Sequence, residues 1–509
     1  MKPLIDKNSF LILLSLVVIS MAWRPYLFGF YSDDYNIILE PISNAYSSHE
    51  LINYLFNLYG NRPLSAINAY ILITFLGDSA YSWHLFSVLF SFIISFLILI
   101  ICKIFNNNNL NIKLAIYASL WIILPTSFGF LSWPTCFITL LPAVFWYLMS
   151  FYFLIRNQKI GFNDLVLSLF FYTLCIFTYE SFYFQFIPMI VTCMIYKKNF
   201  YKNKLYLKVG SLFFLLQIVA IIYNRLILAG GRKNFDFDFI INRVIAVINN
   251  PEYLYHVSIP IFFIFCFSCY TYYLYRQYKL SDKKLSNDQL MIINFMVGIF
   301  ISICIYLSVG YSIRPFGLGS RTTLTFSVFI SFIIFFIAKI QFANKEKLQF
   351  IHFVFPILLL LSVFYEGKDW AASKSIQQEV LDAFPVDKVS NLHDGLILCL
   401  VPNYAGDVLI FEDTWSLNPA ITTKYKNLTD NKLIFLPHKN DGFRSSHSNL
   451  SKYTHQYLTL RSGHESVMYK TENVYIWNYF TKKIYVVDKE ITIEAHSNLS
   501  SLVLDFDTI

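Results

Sequence analysis

The sequence predicts a polytopic α-helical membrane protein of about eleven transmembrane helices with a C-terminal domain of mixed α/β structure. Three observations carry that reading. Of 509 residues, 56% are hydrophobic, 19% aromatic and only 14% charged, where soluble domains carry roughly 25% charged residues. Apolar runs recur between residues 9 and 365 and then stop, and most are long enough for a hydrocarbon core of ~30 Å. Residues 367–509 hold 14 Lys and Arg against 17 Asp and Glu, so the net charge of +8 comes from the apolar part alone. A surplus placed there suits basic cytosolic loops and gives no reason to expect nucleic-acid binding.

The first apolar stretch, residues 10–30, follows Lys2 and Lys7. It is too long for a signal-peptide core and has no small-residue cleavage site, so it is expected as a retained span. The expected spans are 9–29, 82–102, 114–132, 135–155, 165–178, 182–196, 209–229, 256–275, 289–309, 323–338 and 350–365. With the N-terminus in the cytosol, the cytosolic connections hold 18 Lys and Arg and the opposite ones six, which sets the orientation by the positive-inside rule. The run Lys197, Lys198, Lys202, Lys204, Lys208 is the strongest anchor. Segments 165–178 and 182–196 read as two short helices turning at Glu180; one merged helix would be ~48 Å long and would reverse every later loop.

Two parts exceed a plain bundle. The loop 30–81 contains half-apolar segments expected to lie along the interface as amphipathic helices. The C-terminal domain, residues 367–509, opens with a helix-like stretch at 373–384. β-rich runs follow at 396–401, 408–411, 432–436, 474–477, 484–487 and 502–504. The apolar module is therefore expected to span residues 1–366. Seven of the eight cysteines lie in or at the ends of apolar segments and only Cys399 lies in the C-terminal domain, so no disulfide framework is expected there.

Asp33 and Asp34 follow the first span directly, with Glu40 six residues on. Paired carboxylates at the water-facing mouth of a bundle suit general-base work: one accepts a proton from an attacking hydroxyl while the other tunes it or holds a metal or a sugar hydroxyl. The same pair is equally compatible with an ordinary acidic helix end. Asn61-Arg62-Pro63 lies later in the loop, and Gly77-Asp78 precedes Trp83 and His84 at the start of the second span. An acidic pair after span one, an Arg/Pro element in a long outer loop and a helix entered after a Gly resemble the GT-C glycosyltransferases. In length, topology and outer C-terminal domain the chain is most similar to the phage-type serotype-converting O-antigen glucosyltransferases.

That resemblance implies an inverting sugar transferase of the bacterial inner membrane, multi-pass, with a cytosolic N-terminus and a periplasmic C-terminus. Its donor would be a polyprenyl-phosphate-linked sugar such as undecaprenyl-phosphate glucose. Its acceptor would be O-antigen of lipopolysaccharide or another lipid-linked glycan, with a cytosolic lipid-sugar synthase and a flippase in the same pathway and membrane lipid around it. Asp33 and Asp34 would be catalytic. Arg321, Arg314 and Arg62 would meet the donor phosphate, which needs cationic stabilisation as a leaving group. Glu40, Glu180, His84 and Trp415 would contact the acceptor or the sugar, although Glu180 could instead pair with one of the arginines. No cofactor is assigned with certainty; a divalent metal is compatible with the acidic pair, and no metal-ligand set is assigned. Trp370 and Trp477 read either as carbohydrate platforms or as core.

No Walker loop, H-E-x-x-H or G-x-S-x-G motif is present, so ATP hydrolysis and soluble nucleotide-sugar binding have no support. Two other readings stay open: an O-antigen polymerase, and a lipid or saccharide transporter without chemistry. The transporter predicts paired inverted repeats, and no internal repeat is visible.

Overall fold

A computed structural model describes residues 6–197, 205–227, 286–308, 322–343 and 349–392, and most of 394–486 with short interruptions, the longest of them 439–449. The chain divides into two compact units. The first comprises Met1–Tyr26 and His49–Gly367, the second Leu27–Ser48 and Lys368–Ile509. Leu27–Ser48, the start of the long first loop, therefore belongs with the C-terminal residues.

The first unit is helical. In order, its described helices are α1 (Lys7–Met21) and α2 (Arg24–Leu27), and then, beyond α3 (Glu40–Ser43) of the second unit, α4 (Ser48–Leu58), α5 (Pro63–Leu76), α6 (Ala80–Phe105), α7 (Ile112–Ala118), α8 (Pro125–Phe128), α9 (Pro134–Ile155), α10 (Phe162–Thr178), α11 (Phe186–Tyr196), α12 (Leu205–Ile227), α13 (Asn287–Ser308), α14 (Leu324–Ala343) and, as far as Gly367, α15 (Gln349–Asp382). Among the described residues, five segments are long and apolar enough to cross a membrane: Lys7–Leu27, Ala80–Phe105, Pro134–Ile155, Leu205–Asn224 and Asn287–Tyr306. Pro63–Leu76, Phe162–Thr178 and Leu324–Ile340 are shorter apolar helices. In α1 the buried residues Ser9, Leu13, Val17 and Ser20 recur every three or four positions while Leu11, Leu14, Val18 and Ile19 are exposed. A helix apolar all round, with only one stripe buried in protein, is suited to lipid on the other side.

The expected span 114–132 is not one helix. It breaks into α7, a 3₁₀ turn at Leu120–Ile123, and α8, and a new helix starts at Pro134. Pro125 cannot donate to a helical ladder, and the released carbonyls find other partners: Ser127 Oγ donates to the carbonyls of Trp121 and Leu124 at 2.7 Å each. Trp121 is fully buried and donates to Ser327 Oγ at 3.1 Å. An irregular backbone of this kind is tolerated at membrane depth only when buried in protein.

α10 and α11 are separate helices, as the sequence suggests. Tyr179 is extended (φ −154°, ψ 125°), Glu180–Phe182 forms a 3₁₀ turn, and Phe184 has φ 60°. Buried amides tie later helices together: Gln185 donates to Ser302 Oγ at 2.8 Å and Asn294 to Thr192 Oγ1 at 2.9 Å. Lys197, expected in a solvated basic loop, is buried instead and donates to the Leu154 carbonyl at the end of α9. The expected span 256–275 lies outside the described residues. The eleventh expected span and the helix expected at 373–384 are one continuous helix, α15.

The second unit is built on a four-stranded sheet of order β4-β1-β8-β9. β1 (Asp394–Leu400) pairs in parallel with β4 (Lys432–His438) and β8 (Val474–Asn478), and β9 (Lys483–Val486) closes one edge antiparallel to β8. Leu396, Ile397, Leu398 and Cys399 are all buried, so both faces of the central strand are covered, as a parallel strand flanked by helices requires. α16 (Val386–Val389) leads into β1, and α17 (Thr414–Lys424) supplies the crossover from β1 to β4. A hairpin, β2 (Tyr404–Ala405) and β3 (Val408–Leu409), and a meander, β5 (Leu450–Thr454), β6 (Tyr457–Ser462) and β7 (Glu465–Lys470), complete the described strands. Trp477 is core, packed edge-on against Phe384 at 4.9 Å.

Candidate functional site

The acidic pair sits on a tight turn. Ser32 has φ 46°, a left-handed conformation that a residue with a Cβ adopts at a cost. Asp34 Oδ2 accepts the Tyr31 amide at 2.7 Å, and the Asp34 amide donates back to the Tyr31 carbonyl at 2.9 Å. The chain then runs into a single π-helical turn, Tyr35–Leu39, a geometry that is rare and concentrates at functional sites. Asp34 is fully buried and Asp33 half-buried. The Asp34 carboxylate is therefore fixed by the turn, while Asp33 is only partly enclosed.

The two tyrosines flanking the pair are anchored within the second unit. Tyr31 OH donates to the Trp370 carbonyl at 2.9 Å and accepts from the Gly29 amide at 3.0 Å, and its ring meets the Trp370 ring edge-on at 4.7 Å. Tyr35 OH donates to Gln377 Oε1 at 3.0 Å, and its ring lies 6.0 Å from that of Phe411. Burial, with a smaller contribution from Asp34, holds both phenols above their usual range, so they remain neutral donors. The π turn rests against α17. Glu40 opens α3, and burial raises its carboxyl above the ordinary range.

A second polar cluster lies in the first unit. Arg62, at the N-cap of α5 before Pro63, makes a two-point ion pair with Glu180: Nε reaches Oε2 at 2.5 Å and Nη2 donates to Oε1. The guanidinium also lies 4.4 Å from the centre of the Tyr179 ring. Next to Glu180, Ser181 Oγ is 3.1 Å from Thr325 Oγ1, and Asn224 donates to Tyr183 OH. Of the two roles open to Glu180 in sequence, this structure realises pairing with an arginine.

The remaining expected residues fall in different surroundings. His84 is fully buried near the start of α6, beside the Phe137 ring at 5.9 Å. Trp415 belongs to α17, and Trp370 is fully buried beneath Tyr31 and Phe28. Arg314 and Arg321 lie outside the described residues. Among the described residues no group of three or more His, Cys, Asp or Glu side chains is placed to hold a metal ion.

Sequence reasoning passed over Arg24. Its guanidinium is buried, 4.2 Å from the centre of the Phe128 ring, and donates to the Leu131 carbonyl at 3.3 Å. Glu366, also buried, is close enough to act on it electrostatically. An ionisable residue inside an apolar run was the signal that marked it. Tyr31, Tyr35 and Gln377 carried no such signal, because their roles arise only from contacts distant in sequence.

No protein-family model matches the chain, and no curated protein matches its sequence.

Proposed function

We propose that the chain is a membrane-embedded inverting glycosyltransferase of GT-C type that moves a sugar, glucose in the first instance, from a polyprenyl phosphate to an O-antigen or other lipid-linked glycan. The observation that carries this reading is the Asp33–Asp34 turn: directly after the first apolar helix, a locked buried carboxylate stands beside a half-exposed one on a strained backbone. Strain held in place by surrounding contacts is a common property of reactive turns.

In this reading Asp33 is the base. The acceptor hydroxyl oxygen forms a bond to the anomeric carbon as its proton passes to the Asp33 carboxylate. The bond from that carbon to the phosphate oxygen breaks, and polyprenyl phosphate leaves with the electron pair. Asp34 holds the turn. Arg321, Arg314 and Arg62 are assigned to the leaving phosphate, Arg62 from within its ion pair with Glu180. Glu40, His84 and Trp415 are assigned to the acceptor side. The accompanying topology is about eleven spans in the bacterial inner membrane, with a cytosolic N-terminus and residues 367–509 in the periplasm.

The test is incorporation of labelled glucose from synthetic polyprenyl-phosphate glucose into lipopolysaccharide by membranes carrying wild type, Asp33→Asn or Asp34→Asn. Wild-type incorporation that is lost in Asp33→Asn supports the mechanism. Full activity in both variants overturns it. No wild-type transfer from any lipid-linked sugar, together with altered polymer length, would make the chain a polymerase.

A further inference from the structure

The paired aspartates lie on a segment that the local backbone does not favour: a left-handed serine at Ser32 followed by a π turn from Tyr35. Such a segment keeps one shape only if contacts outside it over-determine that shape. The π turn packs on α17, and the hydrogen bonds to Tyr31 and Tyr35 come from one face of α15. Trp370, Ser373 and Gln377 are spaced by three and four residues and share that face. The Trp370 carbonyl accepts from Tyr31 OH, Ser373 Oγ donates to the Leu409 carbonyl at 3.0 Å, and Gln377 meets Tyr35.

Gln377 is the informative member. It is buried, and its Nε2 donates to the Ile410 carbonyl at 2.6 Å. A carbonyl accepts only, so that contact fixes which end of the amide faces Ile410 and leaves Oε1 as the acceptor for Tyr35 OH. Tyr35 is itself buried and follows Asp34 directly. The chain of bonds Ile410–Gln377–Tyr35 thus ends one residue from the buried aspartate, in surroundings dry enough to make each bond strong.

We propose that Tyr35 and Gln377 are positioning residues that hold the Asp33–Asp34 turn in its reactive shape, so that a side chain from the C-terminal part of the sequence governs the base of the first outer loop. This rests on the transferase reading for its consequence in catalysis, but not for its structural content. Neither residue touches the reacting atoms; both act through the aspartates.

The experiment uses the full chain in detergent or membranes and reads two quantities. The first is carbodiimide modification of Asp33 and Asp34, followed by mass spectrometry, which needs no activity. The second is sugar transfer with kcat and KM separated. In Tyr35→Phe and Gln377→Met, modification of Asp34 is expected to rise several-fold. kcat is expected to fall about 10- to 100-fold, the scale of a ~1 Å misplacement, with KM for the lipid donor nearly unchanged. Gln377→Glu keeps an acceptor for Tyr35 but loses the donor to the Ile410 carbonyl, so it is expected to fall with Gln377→Met and not with wild type. On an Asp33→Asn background, Tyr35→Phe adds almost nothing, because its effect passes through the base already removed.

Asp34 modification equal to wild type in both variants overturns the proposal, as does a Tyr35→Phe loss that multiplies in full with Asp33→Asn. Increased Asp34 modification in a protein whose wild type transfers no sugar supports the positioning and rejects the transferase. Should Gln377→Met not accumulate, Tyr35→Phe, which deletes a single oxygen, decides alone.

Discussion

Arg62 grips the carboxylate of Glu180 through both Nε and Nη2, joining residues 118 positions apart in the chain. The side chains are 11% and 20% exposed, and at such burial an ion pair is expensive to break from one side. The pair anchors the start of α5 to the turn between α10 and α11. Under the proposed transferase function, a donor phosphate assigned to Arg62 must share it with Glu180 or displace it.

Removing either partner leaves the other charged and poorly hydrated. Arg62→Met and Glu180→Met are each expected to lower stability by about 1–3 kcal/mol. The double variant should recover part of that loss, because no lone charge remains. Thermal midpoints of the four detergent-purified proteins check this; additive losses would show that the pair is energetically uncoupled.

Asp33 and Asp34 should separate by phenotype. Asp34→Ala removes the acceptor for the Tyr31 amide and is expected to cost about 1–2 kcal/mol, the scale of a lost cap. Asp33→Asn should leave the thermal midpoint almost unchanged while cutting transfer to a small residual rate. Midpoint and activity measured on the same preparations distinguish the two.

The Glu40 carboxyl is raised by burial, so the fold favours its protonated form. Its stabilising contribution is complete below the ordinary carboxylate range and is lost as pH rises through the raised value. Glu40→Gln should therefore be more stable than wild type at neutral pH and should lose that part of the pH dependence. A series of thermal midpoints from pH 4 to 8 reads both effects, and parallel curves for the two proteins would contradict them.

Gly367 lies in the middle of α15 where a Cβ would run into the Trp23 ring, which also stacks on Phe364 at 5.7 Å. Gly367→Ala is expected to destabilise by about 1–3 kcal/mol through overpacking, despite the better helix propensity of Ala. Pairing it with Trp23→Leu should return most of the loss. Thermal midpoints of both variants are the check.

Much of the helical part was legible because hydropathy and helix length are local properties. α6, α9, α13 and α14 lie close to the expected spans at 82–102, 135–155, 289–309 and 323–338. The break at Tyr179–Glu180 was legible too, since polar residues interrupt two runs each too short to be a long span. The break at 119–133 was not. An apolar sequence reads as continuous helix whether or not its backbone bends, and the decisive partner, Ser327 for Trp121, is 206 residues away. In the C-terminal part, β1, β4, β8 and β9 match β-branched or alternating runs, whereas β5, β6 and β7 contain enough polar residues to hide their period.

The sequence by itself determined that this is a largely helical chain with long apolar segments, an acidic pair after the first of them, and strands near its end. These follow from composition and spacing, which act over a few turns of chain. Tertiary structure alone decided that Asp34 is buried and Asp33 only half-buried, that Glu180 takes Arg62, that Arg24 and Glu366 are enclosed, and that Leu27–Ser48 packs with the C-terminal residues. Each of those outcomes depends on which distant groups share a dry environment, and the cost of an unpartnered polar group there exceeds any local preference.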